Sequence, residues 1–239
     1  MPRLKFDPTK FGNSDPREMP AYGIPLAAHY LRIPAATVRS WVVGRNYETG
    51  DGTKWFEPLI ALPDPDRRLL SFFNLAEAHV LGALRRDHNI KLQDIRRALD
   101  FLANRYDSPH PLIDHQFETN GIAIFVNELG QMLDVSAKGQ LVMRSVIEQH
   151  LQRLERENQV VARLYPFTRG EHGTSPKSVF IDARYSFGRP VLARAQVATA
   201  IVAERYKAGE SILDLAEDYA CPGPEIEEAI RCELRLEAA

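Results

Sequence analysis

The chain has 239 residues, and its 44% hydrophobic content and 16 prolines are typical of a globular protein with two or three compact units. No run reaches about 18 apolar residues, and charges and prolines occupy the N-terminal segment, so we expect neither a membrane span nor a signal peptide. Cys221 and Cys232 are too few for a four-ligand zinc site or a secreted disulfide scaffold. The composition therefore favours a cytoplasmic protein without a structural metal.

The net charge of −2 conceals an uneven distribution along the chain. Residues 1–106 hold sixteen Lys and Arg against twelve Asp and Glu, a net of +4, whereas residues 107–239 carry a net of −6. Residues 209–239 alone have nine acids against Arg231 and Arg235, a net of −7. The charge thus allows nucleic-acid binding at the front and predicts a different partner for the acidic end.

Two short helices are predicted after an irregular lead-in over residues 1–21. The first covers residues 24–31 and has Pro25 in its first turn, where a missing N–H costs nothing. The second covers residues 34–41, and only two residues separate it from the first. Two brief helices joined this tightly predict a helix-turn-helix.

A hairpin is predicted directly after these helices. Residues 46–49 and 53–62 are rich in Tyr, Thr, Trp and Phe, and they flank Gly50-Asp51-Gly52, which suits a tight turn. A hairpin in this place is a wing. Two further helices are expected, one capped by Asn74 and one over Leu92–Tyr106, which together complete a DNA-binding unit over residues 22–106.

The second predicted helix has the two faces that a recognition helix needs. Val38 and Trp41 supply an apolar side, while small, polar and basic residues supply the other. The alternative is an ordinary solvated helix. We expect base contacts from the helix and phosphate contacts from the turn, the helix exit and the wing, and the DNA-binding residues predicted on this basis are Arg32, Thr37, Arg39, Ser40, Arg45 and Lys54.

The rest of the chain predicts two smaller units after the proline-containing linker at residues 107–111. A small α+β module at 113–165 would have a hairpin around Asn120-Gly121, with strands at 116–119 and 122–126, and a third strand at 132–135. A helix ending near Arg156 and a strand at 160–164 would complete it.

Residues 177–239 predict a short strand at 178–182 and three helices, near 197–207, 211–219 and 224–236, with Ser211 as a cap. The fold class is therefore α+β and mainly helical, with a winged helix-turn-helix in front, a central β-hairpin and helix module, and a helix-turn-helix-like end.

Enzyme signals are sparse. Neither a dinucleotide-binding nor a phosphate-binding glycine motif occurs. Weak alternatives are His115 with Glu118, the pair Glu171-His172, and an acidic helix with Asp214, Glu217 and Asp218. Ordinary surface residues explain all of them better than a site does. We expect no catalytic residue, metal or cofactor.

Residues 22–106 resemble the MerR-type winged helix. Thr37-Val38-Arg39 matches the pattern on that family's recognition helix, and residues 90–96 match its I-x-L-x-x-I-R entry to the fourth helix. The resemblance implies DNA binding as a dimer. Pro109 and Pro111 replace the coiled coil and effector region that follow in MerR regulators.

The last sixty residues resemble a bacterial three-helix domain found in antitoxins. The motifs that carry the resemblance are G-R-P-V at 188–191, A-E-R-x-x-A-G-E-S at 203–211 and L-A-E-D-Y at 215–219. Arg194-Ala195 stands where relatives often have Gly-Thr. The whole chain is similar to VapB-type antitoxins of type II toxin–antitoxin systems, which implies a PIN-like ribonuclease toxin as partner.

The sequence therefore predicts a non-enzymatic, homodimeric antitoxin that binds operator DNA with its front and the toxin with the rest. Acidic residues of the last two helices would engage the toxin electrostatically, namely Glu210, Asp214, Glu217, Asp218, Glu227 and Glu228. One alternative is that these acids only form a solvated surface, and another is that the module at residues 113–164 makes the toxin contact. The alternative function is a transcription regulator with a ligand-sensing C-terminal domain and no toxin partner.

Overall fold

The computed structural model describes residues 15–50, 52–88, 90–106, 108–133, 136–169 and 175–234. These residues form a mainly helical α+β structure with a helix-turn-helix near the N-terminus, which confirms the predicted fold class. Among them, no helix combines the length and the apolar character needed to cross a lipid bilayer. Both cysteines are buried and unpaired.

The N-terminal part has the order of a winged helix-turn-helix. Its elements are β1 (Tyr22–Gly23), α1 (Ile24–Leu31), α2 (Ala35–Val42), β2 (Arg45–Thr49), β3 (Gly52–Phe56), β4 (Leu69–Leu70), α3 (Phe72–His88) and α4 (Leu92–Tyr106). Strands β2 and β3 pair antiparallel as the predicted wing, and β1 pairs with β4. The two short helices, the hairpin and the two following helices occur in the predicted order, although β3 ends at Phe56 instead of residue 62.

Helix α3 begins at Phe72, three residues earlier than the predicted cap at Asn74 implied. The backbone N–H of Asn74 donates to the Ser71 hydroxyl at 3.2 Å, and the Ser71 N–H donates to the Asn74 side-chain oxygen at 3.1 Å. This reciprocal pair satisfies donors at the helix start as a capping box does. Ser71 is therefore the cap, and Asn74 lies three residues inside.

The central hairpin prediction was wrong. A π-helical turn at Phe117–Gly121 leads into α5 (Ile122–Leu133), so Asn120-Gly121 does not reverse two strands. The physical reason is visible in α5, since Ile122, Phe125, Val126 and Leu129 are all buried at helical spacing. The third strand, predicted at 132–135, is also wrong for Met132 and Leu133, because these two residues are the last of α5. Residues 134–135 lie outside the described residues.

The rest of the central part is α6 (Ala137–Leu151), β5 (Leu154–Glu157) and β6 (Val160–Leu164). Helix α6 ends at Leu151 instead of near Arg156. The reason is that β5 starts at Leu154 and pairs antiparallel with β6. The strand predicted at 160–164 is confirmed. Helix α6 packs on both α3 and α5, so the central helices cover the winged helix-turn-helix directly.

The C-terminal part joins a small sheet to three helices. The sheet holds β7 (Val179–Phe180), β8 (Val191–Leu192) and β9 (Val197–Ala198), in that order. The helices are α7 (Thr199–Lys207), α8 (Ile212–Asp218) and α9 (Gly223–Glu233). Residues 197–198, predicted as helix, pair with β8 instead. Ser211 caps α8 as predicted, in a capping box with Asp214.

Two apolar cores hold the chain together. The larger one runs from Tyr22 to Ile181 and so includes both the winged helix-turn-helix and the central helices. The smaller core lies around Leu192, Val202, Leu215 and Ile226 of the C-terminal part. Backbone hydrogen bonds between Leu164 and Ile181 join β6 to the residue after β7 and so link the two regions.

A buried charged cluster fixes the linker to the N-terminal part. Nδ1 of His110 lies 2.9 Å from a Glu77 carboxylate oxygen, and its Nε2 lies 3.3 Å from Glu18. All three side chains are buried. Burial by itself lowers the pKa of His110, but the two carboxylates raise it to about 10. The charged imidazolium therefore joins the lead-in, α3 and the linker.

This cluster predicts a stability that falls in alkaline solution. The raised pKa of His110 stabilises the fold fully below its unfolded value of about 6.5, and the effect is lost as the pH rises towards about 10. His110→Gln should lower the free energy of unfolding by about 3–5 kcal/mol at pH 6 and remove most of this pH dependence. Urea unfolding at pH 6, 8 and 9.5 measures both effects.

His29→Gln is the control for this experiment, since it removes a half-buried histidine that packs against Tyr30. It should keep the wild-type slope of stability against pH. An unchanged slope in His110→Gln would show that the buried cluster does not stabilise the fold in this way.

Candidate nucleic-acid interface

Helix α2 has one buried and one exposed face. Val38 and Trp41 are completely buried, whereas Ala35, Ala36 and Arg39 are exposed. The exposed face is small at its N-terminal end and basic one turn later. This is the surface that a recognition helix presents to base edges in a major groove.

The tight turn between α1 and α2 depends on a left-handed residue. Arg32 has φ 54° and ψ 42°, and its N–H donates to the His29 carbonyl, while the N–H of Ile33 donates to Ala28. These bonds close α1 in the manner of a Schellman motif. Pro34 then starts α2 at a fixed angle, which sets the direction of the recognition helix.

The structure does not place Ser40 on the exposed face. Its side chain is 8% exposed, and its hydroxyl donates to the Thr37 carbonyl at 2.7 Å. A serine in a helix commonly satisfies its hydroxyl in this way. The Ser40 hydroxyl therefore already has a partner within the helix. Of the other two predicted residues of α2, Thr37 is half-buried and Arg39 is exposed.

The wing carries the other predicted cations. Arg45 and Lys54 are both exposed, and Lys54 lies opposite Tyr47 in the β2–β3 register. Trp55, on the opposite face of β3, is 53% exposed. Its indole packs on Gly44, where an added Cβ would lie 2.6 Å from the ring. The wing therefore displays an aromatic side chain near the exit of α2.

Helix α4 holds the wing in place. The Arg96 guanidinium donates to the carbonyls of Glu57 and Pro58 and lies over the Phe56 ring, 5.2 Å from its centroid. Gln93 donates to the Tyr47 hydroxyl at 2.9 Å. Because these bonds join both strands to one helix, the wing has a fixed orientation relative to α2.

The side chain of Arg32 makes a hydrogen bond within the chain. Its guanidinium donates to the backbone carbonyl of Arg231, near the end of α9, at 2.8 Å. Burial lowers the pKa of Arg32, although nearby Cys232 and Glu228 oppose that effect. The sequence placed Arg32 on a phosphate, but the structure uses it to connect the turn to the C-terminal helix.

Glu228 is likewise unavailable to a partner. It is 1% exposed, accepts a hydrogen bond from the Thr168 hydroxyl, and accepts another from Arg169 Nε at 2.7 Å. Its expected role in toxin contact is therefore corrected: the carboxylate fixes α9 to the segment that follows β6.

Most of the other acids in the predicted partner surface are paired within the C-terminal part. Glu210 and Asp218 both bind Arg205, and Glu227 binds Arg231 at 3.3 Å. Asp214 accepts hydrogen bonds at the start of α8, which lowers its pKa. Glu217 is exposed. The acidic end thus uses much of its charge internally.

The weak enzyme candidates do not converge on a site. Glu118 binds Arg156 at 2.6 Å, and Glu171 and His172 lie outside the described residues. Within the part of the chain that the structure describes, no three His, Cys, Asp or Glu side chains come together as metal ligands do.

The N-terminal part of the chain matches a known family model. Residues 20–99 match the family model described as "Putative DNA-binding HTH domain". The match takes in the helix-turn-helix, the wing and α3, and it ends within α4. Residues 20–99 are therefore similar to helix-turn-helix domains that are described as DNA-binding.

A comparison over nearly the whole chain gives an antitoxin relative. The chain is 28% identical over 229 residues to a Mycobacterium tuberculosis protein named "Putative antitoxin VapB45", with 89% of this chain and 93% of that protein covered. The X-ray crystal structure of Rv2018 from the same organism has a TM-score of 0.64 and 23% identity, covering 89% and 98% of the two chains. The fold therefore has a solved counterpart along most of its length.

Gly44 provides a test of the wing geometry. It has φ +87°, and an added Cβ would lie 2.4 Å from the Phe56 carbonyl oxygen. Gly44→Ala should therefore lower the free energy of unfolding by about 2–4 kcal/mol, through strain and through displacement of the wing. Chemical denaturation measures the change.

Gly50→Ala is the matched control, because nothing lies within 4 Å of its added Cβ. It should change stability by less than about 0.5 kcal/mol. Equal stability of both variants would contradict the close packing of Trp55 and Phe56 around Gly44.

Proposed function

We propose that the protein is an antitoxin of a type II toxin–antitoxin system that also binds its own operator DNA. The observation that carries this proposal is the antitoxin-named relative, because the similarity spans almost the entire chain rather than the DNA-binding region alone. The helix-turn-helix match supports the DNA-binding half. An antitoxin with its own DNA-binding domain acts in the cytoplasm, where both the operator and the toxin are found.

In the DNA complex, Arg39 and Thr37 of α2 approach base edges while Arg45 and Lys54 contact phosphates. Arg39 is the exposed basic residue of the helix, and the wing cations flank its exit. Ser40 and Arg32 are left out, since both are satisfied internally. A homodimer would present two such helices to the two halves of a palindromic operator.

In the toxin complex, the partner is a PIN-like ribonuclease and the antitoxin acts by binding, without chemistry of its own. The resemblance of residues 177–239 to the three-helix domain of antitoxins supports this partner. Exposed Glu217 is the acid of the predicted partner surface best placed for an electrostatic contact, because most of the others are paired.

The DNA half of the proposal predicts a difference between two neighbouring residues. Arg39→Ala should weaken binding to the chain's own upstream DNA by about 1–3 kcal/mol, because it removes a base contact. Ser40→Ala should bind like wild type, since its hydroxyl is satisfied by Thr37. Lys54→Ala should reduce the slope of log affinity against log salt by about one.

Fluorescence anisotropy at several salt concentrations measures all three variants. If Arg39→Ala binds as tightly as wild type, the α2 surface does not read the operator. If Ser40→Ala weakens binding as much as Arg39→Ala, the buried position of Ser40 is not kept in the complex.

The partner half predicts inhibition by the full-length chain. Adding it in equimolar amount to the product of the adjacent gene should lower that product's RNA-cleavage rate by at least about tenfold, since the complex would block the active site. The two proteins should also co-elute in size-exclusion chromatography. Operator binding without either effect would favour a transcription regulator that has no toxin partner.

A further inference from the structure

A short turn before β8 displays an aromatic side chain completely to solvent. We call residues Tyr185–Gly188 the aromatic turn. Phe187 is 97% exposed, the highest value among the large apolar side chains that the structure describes. A phenylalanine in this position contributes almost nothing to the core, so its packing within the chain does not explain it.

The backbone of the aromatic turn is strained. Ser186 has φ 47° and Phe187 has φ 56°, and Gly188 follows with φ 73°. Left-handed conformations are unfavourable for residues with a Cβ, above all for bulky ones. Two such residues in succession, one of them an exposed aromatic, make this an unusual turn of the kind that is often found at functional sites.

The rest of the structure holds this conformation firmly. The buried Tyr22 hydroxyl donates to the Gly188 carbonyl at 2.8 Å, and a Cβ on Gly188 would lie 2.3 Å from that hydroxyl. Gly188 N–H donates to Tyr185, and Arg189 N–H donates to Ser186. The backbone that carries Phe187 is therefore held in one conformation ahead of any binding.

A charged network beneath the turn gives further support. Asp182 is fully buried, and Arg184 binds it at 2.7 Å and also binds Glu157 at 2.6 Å. Arg163 lies over the rings of both Phe180 and Tyr185. The aromatic turn is thus anchored to β5, β6 and β7.

We propose that Phe187 is the main contact residue for the partner protein, inserting into an apolar pocket on its surface. This inference rests on the proposed function for the identity of that partner as the toxin. Interface energy concentrates in a few large side chains that fill pockets, and a segment whose backbone is already ordered loses less conformational entropy on binding. Phe187 is a large, exposed side chain on a turn whose backbone is ordered in this way.

The charges around the turn favour a protein over a nucleic acid. Nucleic-acid binding needs unpaired cations to replace counterions. Arg184 is paired with Asp182 and Glu157, and Arg163 is paired with Glu155. Arg189, next to the turn, is exposed, but the pairing of Arg184 and Arg163 with carboxylates leaves an apolar contact as the dominant feature of this surface.

A toxin contact at Phe187 lies on a different surface from the acidic one that the sequence predicted. Asp214, Glu210 and Asp218 form hydrogen bonds or ion pairs within the C-terminal part, so their charge is largely committed. Leu213, beside them on α8, is 81% exposed in an ordinary helical conformation. It provides a comparison for Phe187 on the competing surface.

The experiment measures toxin affinity of full-length variants by calorimetry with the adjacent gene's product. Phe187→Asn and Phe187→Gly both suit the left-handed region and remove the ring. Each should weaken toxin binding at least about 30-fold, the size of an interface hot spot. Neither should lower the melting temperature by more than about 2 °C, because the ring makes no packing contact in the core.

Two controls remove other exposed apolar side chains. Leu213→Ala tests the acidic surface of α8, and Leu141→Ala tests the distant, exposed position on α6. Leu141→Ala should keep wild-type affinity for the toxin, and Leu213→Ala should weaken toxin binding much less than either Phe187 variant. Operator affinity should be unchanged in every variant, because none of the substitutions lies in α2 or the wing.

Several results would overturn the inference. Wild-type toxin affinity in both Phe187 variants would refute it while leaving the proposed function intact, and weakened binding in Leu213→Ala alone would assign the contact to α8. Loss of operator binding, or dissociation of a dimer in ultracentrifugation, would show that DNA or a second copy occupies the turn. If wild-type protein does not bind the adjacent product at all, the proposed function and this inference fail together.

Discussion

The buried carboxylate of Glu228 is the interaction on which the arrangement of this chain depends. A charge so completely removed from water is tolerated only when it is paired and hydrogen-bonded, and Thr168 and Arg169 meet that need. Because Glu228 lies in α9 and its partners follow β6, the pairing fixes the last helix to the central part. The smaller core of the C-terminal part thereby acquires a defined position beside the larger one.

That position has a consequence for the helix-turn-helix. With α9 held in place, the Arg231 carbonyl meets the guanidinium of Arg32, the left-handed residue between α1 and α2. The turn that directs the recognition helix is therefore supported from the far end of the chain. The same contact gives Arg32 a role within the chain, since its guanidinium joins the turn to the end of α9.

Internal pairing also explains the charge distribution. The net charge of −7 on the last thirty-one residues suggests a surface for a basic partner. However, Arg205 and Arg231 form ion pairs with three of these acids, and Arg169 forms an ion pair with Glu228. Formal charge therefore overstates the field that a partner would meet. In the front, by contrast, Arg39 and Arg45 remain exposed. The formal charge of the sequence therefore describes the exposed charge better in the N-terminal part than in the C-terminal part.

The sequence by itself determined the winged helix-turn-helix, because short-range signals such as Pro25, the glycine-flanked wing turn and the spacing of apolar residues act within one element. It also determined the Ser211 cap and the likeness to antitoxins. It failed at Asn120-Gly121, where burial of Phe125 and Leu129 against neighbouring helices outweighed a local turn preference. Only the tertiary structure decided which charges are free and that Phe187 is exposed, since both depend on partners distant in the chain, such as Arg169 for Glu228 and Tyr22 for the aromatic turn.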